Sequence, residues 1–152
     1  MPTFGVSVGP IVDAVLKGRS GEHLVASFLC SVGWQAVLAD AAGYDIIATN
    51  DNSILRVQVK SCSQPIIGKR ERAPGWFRWT TGMGGNKELR TPTDYYDVMA
   101  LTALSKSAIT FIPAAEINKK TYRIHPDSLN AETSAVSWAA TMRNLKKWRY
   151  VD

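Results

Sequence analysis

Asp45, Gln58 and Lys60 lie in the stretch YDIIATNDNSILRVQVKS, residues 44–61, and Glu22 lies on an amphipathic segment upstream. An acid, an amide and an amine are the groups from which phosphate chemistry can be assembled. Carboxylate and amide oxygens hold a hard divalent cation, while an ammonium positions water or steadies negative charge on phosphoryl oxygens. Whether they meet depends on the turn between two strands. A turn centred between Asp51 and Asn52 pairs Asp45 with Gln58 and Ile46 with Val57 across an antiparallel hairpin. Directly opposed Cβ atoms are roughly 4.5–5.5 Å apart, so Asp45 and Gln58 can touch one small ligand. Alternation sets Leu55, Val57 and Val59 on one face and Arg56, Gln58 and Lys60 on the other, with Lys60 diagonal to Asp45.

Glu22 precedes Val25, Ala26 and Leu29 by three, four and seven residues and shares their helical stripe. A carboxylate aimed at a sheet needs a cation or a metal, because unpaired burial is costly. Glu22, Asp45, Gln58 and Lys60 can therefore converge on one cleft, and this donor set suits Mg²⁺, which keeps several waters and shares a phosphate. Spacing alone also allows a plainer arrangement, a surface Asp/Lys pair and a salt-bridged helix Glu.

The chain has 152 residues, 18 Lys and Arg against 13 Asp and Glu, a net charge of +5 and 45% hydrophobic residues, the composition of one globular domain. The positive charge is clustered. Arg56, Lys60, Lys69, Arg70, Arg72, Arg78, Lys87 and Arg90 face only Glu71 and Glu88 in their segment, and Arg143, Lys146, Lys147 and Arg149 close the chain. With Trp76, Phe77, Trp79 and Trp148 interleaved, this is the pattern of a surface that neutralises phosphates and stacks on bases, although a solvated basic face has the same composition. GMGGN, residues 82–86, lacks the G-K-[ST] of a phosphate-binding loop and reads as a flexible turn. Cys30 and Cys62 stand alone, as two half-buried small side chains, without metal-site or disulfide spacing. No basic leader and no apolar run of membrane length is seen, so the expectation is a soluble, cytoplasmic protein, nucleoid-associated when bound to DNA.

Residues 11–32 carry helical periodicity through Val12, Val15, Leu16, Leu24, Val25, Phe28, Leu29 and Val32, with a break expected near Ser20 because Gly18 and Gly21 weaken it. Strands are expected at 35–40, 44–49, 54–61, 76–81, 96–104 and 108–114, with a short one at TYRIH and a closing helix over about 133–145. The expected domain spans 1–152, with a core of about 11–117 and a basic helical extension of about 130–152.

GE at 21–22, GYDII at 43–47, RVQVKS at 56–61, DYYDVMAL and TFIPAAEI together resemble the PD-(D/E)xK nuclease superfamily. The likeness covers roughly residues 15–117 and is strongest to its small endonuclease branch, which includes a cyanobacterial group I intron homing endonuclease, with archaeal-type Holliday junction resolvases more distant. It implies a restriction-endonuclease-like α/β domain, a mixed central β-sheet flanked by helices. It also implies a Mg²⁺-dependent endodeoxyribonuclease in which Mn²⁺ can substitute. The resemblance assigns metal coordination to Asp45, Gln58, Val59 and Glu22, and catalysis to Glu22, Asp45, Gln58 and Lys60. Gly43 and Tyr44 replace the Pro that often precedes the Asp, and Gln58 replaces an acidic residue, as in the intron enzyme. Site-specific, homing-type cleavage of double-stranded DNA is the first expectation. Resolution of branched DNA is the second, and a catalytically inactive DNA-binding module is the rival from another class. Paired nicks imply a homodimer or homotetramer. Arg56, Lys69, Arg70, Arg72, Arg78, Lys87 and Arg90 are the expected DNA contacts.

Overall fold

A computed structural model of the protein describes residues 13–67, 75–81 and 92–148. The first element is a helix, α1 (Ala14–Ser31), capped by Asp13, whose carboxylate accepts from the backbone N–H groups of Val15 and Leu16. It runs without the expected break. Gly21 is buried because the helix approaches the sheet there: a Cβ would come within 1.8 Å of Ser61 Oγ and 2.9 Å of Thr102 Oγ1. A residue that weakens the isolated helix is thus required by its packing. The periodicity is only partly a core signal, since Val25 and Leu29 are buried while Val15 and Leu16 are exposed on the first turn.

Seven strands follow: β1 (Gln35–Ala41), β2 (Tyr44–Thr49), β3 (Ile54–Cys62), β4 (Phe77–Thr80), β5 (Val98–Ala103), β6 (Ala108–Pro113) and β7 (Thr121–Ile124), before the closing helix α2 (Ala131–Trp148). Five form a sheet ordered β1-β2-β3-β5-β6, and β4 pairs with β7 in a separate two-stranded ribbon. The large sheet is mixed: β3 and β5 are parallel, the other neighbours antiparallel. The α/β architecture with a mixed central sheet and flanking helices is therefore the observed one.

The two faces of this sheet are covered differently. Ile46, Ala48, Leu55, Val57, Val59, Val98 and Ala100 pack with Val25 and Leu29 of α1 and with Trp138 and Leu145 of α2 in one core. Phe28, Phe111, Trp34 and Trp138 add tilted and edge-on aromatic contacts with centroids 4.9–6.1 Å apart. On the opposite face Met99, Leu101 and Ala103 pack against Phe77 and Trp79 of the ribbon, where Trp79 Nε1 donates to the Thr102 carbonyl at 2.9 Å. Phe77 and Trp79 are buried, which removes them from the set of expected base-stacking aromatics.

The residues of α2 do more than extend the domain. β6 is an edge strand, and its Ile109 and Phe111 N–H groups donate to Ser134 Oγ and Ser137 Oγ of α2 at 2.9 and 3.0 Å. Two hydroxyls one helical turn apart thus cover an edge that could otherwise pair with another chain. Cys62 is buried in the second core, and Cys30 is exposed on α1 rather than half-buried. No helix among the described residues is long and apolar enough to cross a membrane.

Candidate active site

The β2–β3 hairpin has the register that the turn chemistry predicts. Ile46 faces Val57, Ile47 faces Arg56, Ala48 faces Leu55 and Thr49 faces Ile54. Asn50 closes the tip, its Oδ1 accepting from the N–H groups of Asn52 and Ser53 at 2.9 and 2.8 Å. At the other end the ladder stops after Ile46 and Val57. The next β3 group directed at β2 is the Val59 N–H, two residues on. It donates to the Asp45 carboxylate at 2.8 Å instead of to a backbone carbonyl. The side chain of Asp45 therefore takes over where the strands part, and one of its oxygens is held in place by β3.

The hairpin before it forces this position. Ala41 pairs with Tyr44 around the two residues Ala42 and Gly43. Gly43 has φ +98°, and a Cβ there would stand 2.7 Å from Tyr95 Cβ. Only glycine meets both demands cheaply, which gives a physical reason for Gly one residue before Tyr44-Asp45.

Gln58 and Lys60 extend from the sheet face opposite the α1 core, half-buried, in step with Met99 and Leu101 of β5. Gln58 Nε2 donates to the Val59 carbonyl at 3.4 Å, a long contact that sets the amide beside the Val59 main chain. Three of the expected groups thus cluster where β2 leaves β3: the Asp45 carboxylate, the Gln58 amide and the Val59 main chain, with Lys60 next along the same strand. Glu22 comes from the other side. It sits on α1 beside Gly21, near the Ser61 end of β3, and its carboxylate accepts from Arg19 Nη1 at 3.0 Å. The structure gives it an ion pair on its own helix rather than a contact to Gln58 or Lys60.

No group of three or more His, Cys, Asp and Glu side chains among the described residues forms a metal cage. The donor set at the strand split is one carboxylate, an amide oxygen and a main-chain carbonyl. That set fits a cation that takes its remaining ligands from water and phosphate, as Mg²⁺ does, and does not fit a closed, protein-only site.

The basic residues separate into different roles. Arg56 is committed internally: Nη2 donates to Asp97 Oδ1 at 3.0 Å and to the Thr93 carbonyl at 3.0 Å, Nη1 to the Asp94 carbonyl at 3.3 Å. A hydrogen bond to Asp97 raises its pKa further, so the guanidinium is a fixed clamp rather than a mobile phosphate contact. Asp97, which carries no signal in the local sequence, also accepts from the Arg56 N–H at 2.7 Å and is 4% exposed. Arg78 is exposed on β4. Lys69, Arg70, Arg72, Lys87, Arg90 and the GMGGN turn lie outside the described residues.

No family model matches the sequence, and no curated protein matches it. Among solved structures the fold is similar to that of a bacterial homing endonuclease, I-Ssp6803I, with a TM-score of 0.61 and 11% identity over 87% of this chain and 98% of that one. At that identity the likeness is one of architecture: nearly the whole of a small endonuclease fold is present here, around a strand split that holds an aspartate, a glutamine and a lysine.

Proposed function

We propose that the protein is a metal-dependent DNA endonuclease whose active site is built from Asp45, Gln58, the Val59 carbonyl and Lys60. The observation that carries this reading is the Asp45 carboxylate seated on the Val59 N–H at the point where β2 and β3 part. Such an anchor fixes an acid at a sheet opening, with an amide and an ammonium projecting from the same face of β3. The likeness of fold to a homing endonuclease supports the choice of DNA as substrate, and the net charge of +5 agrees with a polyanionic partner.

Asp45, Gln58 and the Val59 carbonyl would hold Mg²⁺ or Mn²⁺, which when bound neutralises phosphate charge and acidifies a water. The protein's own groups do the positioning. Lys60 directs water toward phosphorus and stabilises charge on the phosphoryl oxygens, and the sheet keeps Asp45 and Gln58 from relaxing toward solvent. Gln58 contributes an oxygen without a charge, so metal affinity is expected to be modest and to rise in Gln58→Glu. Homing-type, site-specific cleavage is the preferred subclass, because the structural neighbour is a homing endonuclease; two such sites in a symmetric dimer or tetramer would cut both strands.

Cleavage of matched linear, four-way-junction and plasmid DNAs with Mg²⁺ or Mn²⁺ tests the activity and its subclass together. Cutting of a defined linear site without junction preference supports the reading; a tenfold preference for random-sequence junctions would favour a resolvase. Mn²⁺ binding followed by calorimetry supplies a readout independent of turnover. It should weaken in Asp45→Asn and strengthen in Gln58→Glu.

A further inference from the structure

The β4·β7 ribbon buries one face and leaves the other to solvent. Phe77 and Trp79 turn into the second core, and the alternate residues Arg78 and Thr80 are exposed. The antiparallel register pairs Arg78 with Arg123 and Thr80 with Thr121, and it continues to Trp76 beside His125, whose rings meet edge-on at 5.3 Å. Trp76 is 43% exposed. The outer face is thus a row of three cross-strand pairs, aromatic, doubly cationic and hydroxyl.

Two arginines placed directly opposite each other repel, at a cost to the ribbon. Neither guanidinium has an acidic partner among the described residues. Lys119 and Lys120 add exposed positive charge next to the Thr121 end. Among the described residues, the acid at the other end is Asp127, 3.5 Å from His125 Nδ1 and itself exposed. A pair that costs stability and serves no internal contact calls for an external anion. The face is also the correct one: Gln58 and Lys60 project from the same side of the central sheet that the ribbon covers.

We infer that the outer face of the β4·β7 ribbon is a docking surface for the phosphate backbone of duplex DNA, with Arg78 and Arg123 as the paired phosphate contacts and Trp76 at its margin. The choice of DNA as the polyanion rests on the endonuclease reading; the surface itself rests on register, exposure and charge. Two-stranded ribbons are narrow enough to enter a major groove about 12 Å wide, so the row can follow one backbone from the groove edge. Arg123 is remote from Arg78 in the sequence, and strand pairing brings the two together.

The test is anisotropy of a labelled random-sequence duplex across a salt series, in Ca²⁺, for wild type, Arg78→Ala/Arg123→Ala and the control Lys106→Ala on the turn after β5. Loss of two phosphate contacts should lower the slope of log K against log salt by about 2 and weaken binding at least tenfold. The control should leave both unchanged, and the double variant should melt at the same temperature as wild type or higher, since a repulsive pair is gone. An unchanged slope, or an equal change in the control, would overturn the inference. Binding that depends on Arg78 and Arg123 in a protein that cuts no DNA would sustain the surface while refuting the endonuclease reading. Cleavage that survives the double variant with unaltered salt dependence would do the reverse.

Discussion

Two aspartates serve β3 in the same way and to different ends. Asp97 accepts the Arg56 N–H on the β5 side, and Asp45 accepts the Val59 N–H on the β2 side; each carboxylate replaces a ladder bond where a neighbouring strand does not reach. Asp97 is then closed off, 4% exposed and gripped by the guanidinium of Arg56. Asp45 is only half-buried. Identical backbone chemistry therefore yields a structural clamp on one side of the strand and a candidate metal ligand on the other. What separates them is the access each is left with, not the hydrogen bond.

The largest effect expected from breaking this comparison is on the clamp. Asp97→Ala strands the Arg56 N–H and leaves a guanidinium unpaired, and chemical denaturation should show a loss of about 3 kcal/mol, near the low end for a broken buried pair because Arg56 keeps some solvent contact. Asp45→Asn, by contrast, keeps an oxygen for the Val59 N–H and should change stability by less than about 1 kcal/mol. If both substitutions cost the same stability, the distinction between clamp and site fails.

A smaller effect belongs to the third support of β3, the close approach of α1. Gly21→Ala must push Ser61 or the helix aside, and should cost about 1–3 kcal/mol in the same assay. Gly18 has open space around the added carbon, so Gly18→Ala should stabilise by up to about 1 kcal/mol. Opposite signs at two glycines of one helix would show that packing on β3, not helix propensity, selects Gly21.

The smallest effect at neutral pH concerns Tyr96, beside Asp97. Its hydroxyl is buried without a hydrogen-bond partner, and burial first, then the nearby Tyr122, pushes its pKa up to about 12. The folded value lies above the ordinary one of about 10, so this residue leaves stability untouched below pH 10. Above that it withdraws about 1.4 kcal/mol per pH unit until the folded group ionises. Tyr96→Phe should remove that alkaline loss and be neutral or mildly stabilising at pH 7, as thermal melts at the two pH values would show.

Much of this was legible in the residues themselves. The hairpin register followed from the Asn-rich tip, whose side chain closes the turn, and the strand positions followed from β-branched alternation. Asp97 was not legible, because its partner lies 41 residues away and no local pattern announces it. Composition places Arg56 among the free cations, since it does not distinguish a paired guanidinium from an exposed one. Composition alone makes Phe77 and Trp79 resemble stacking platforms, but the period-2 alternation of β4 turns them inward and Trp76 and Arg78 outward. Glu22 shared a helical stripe with core residues, but α1 packs on the sheet face opposite Gln58 and Lys60, where an ion pair with Arg19 holds it.

If the strand split at Asp45 is a DNA-cleaving site, turnover must depend on both metal and that carboxylate. Wild type and Asp45→Asn are incubated with a supercoiled plasmid pool carrying randomised inserts, in Mg²⁺ or Mn²⁺, and the newly cleaved ends are captured, sequenced and counted with time. The expected outcome is metal-dependent cleavage by wild type and a loss of about 10²-fold or more in the variant, at an unchanged melting temperature. Equal rates in the two proteins, or no cleavage by wild type in either metal, would contradict it.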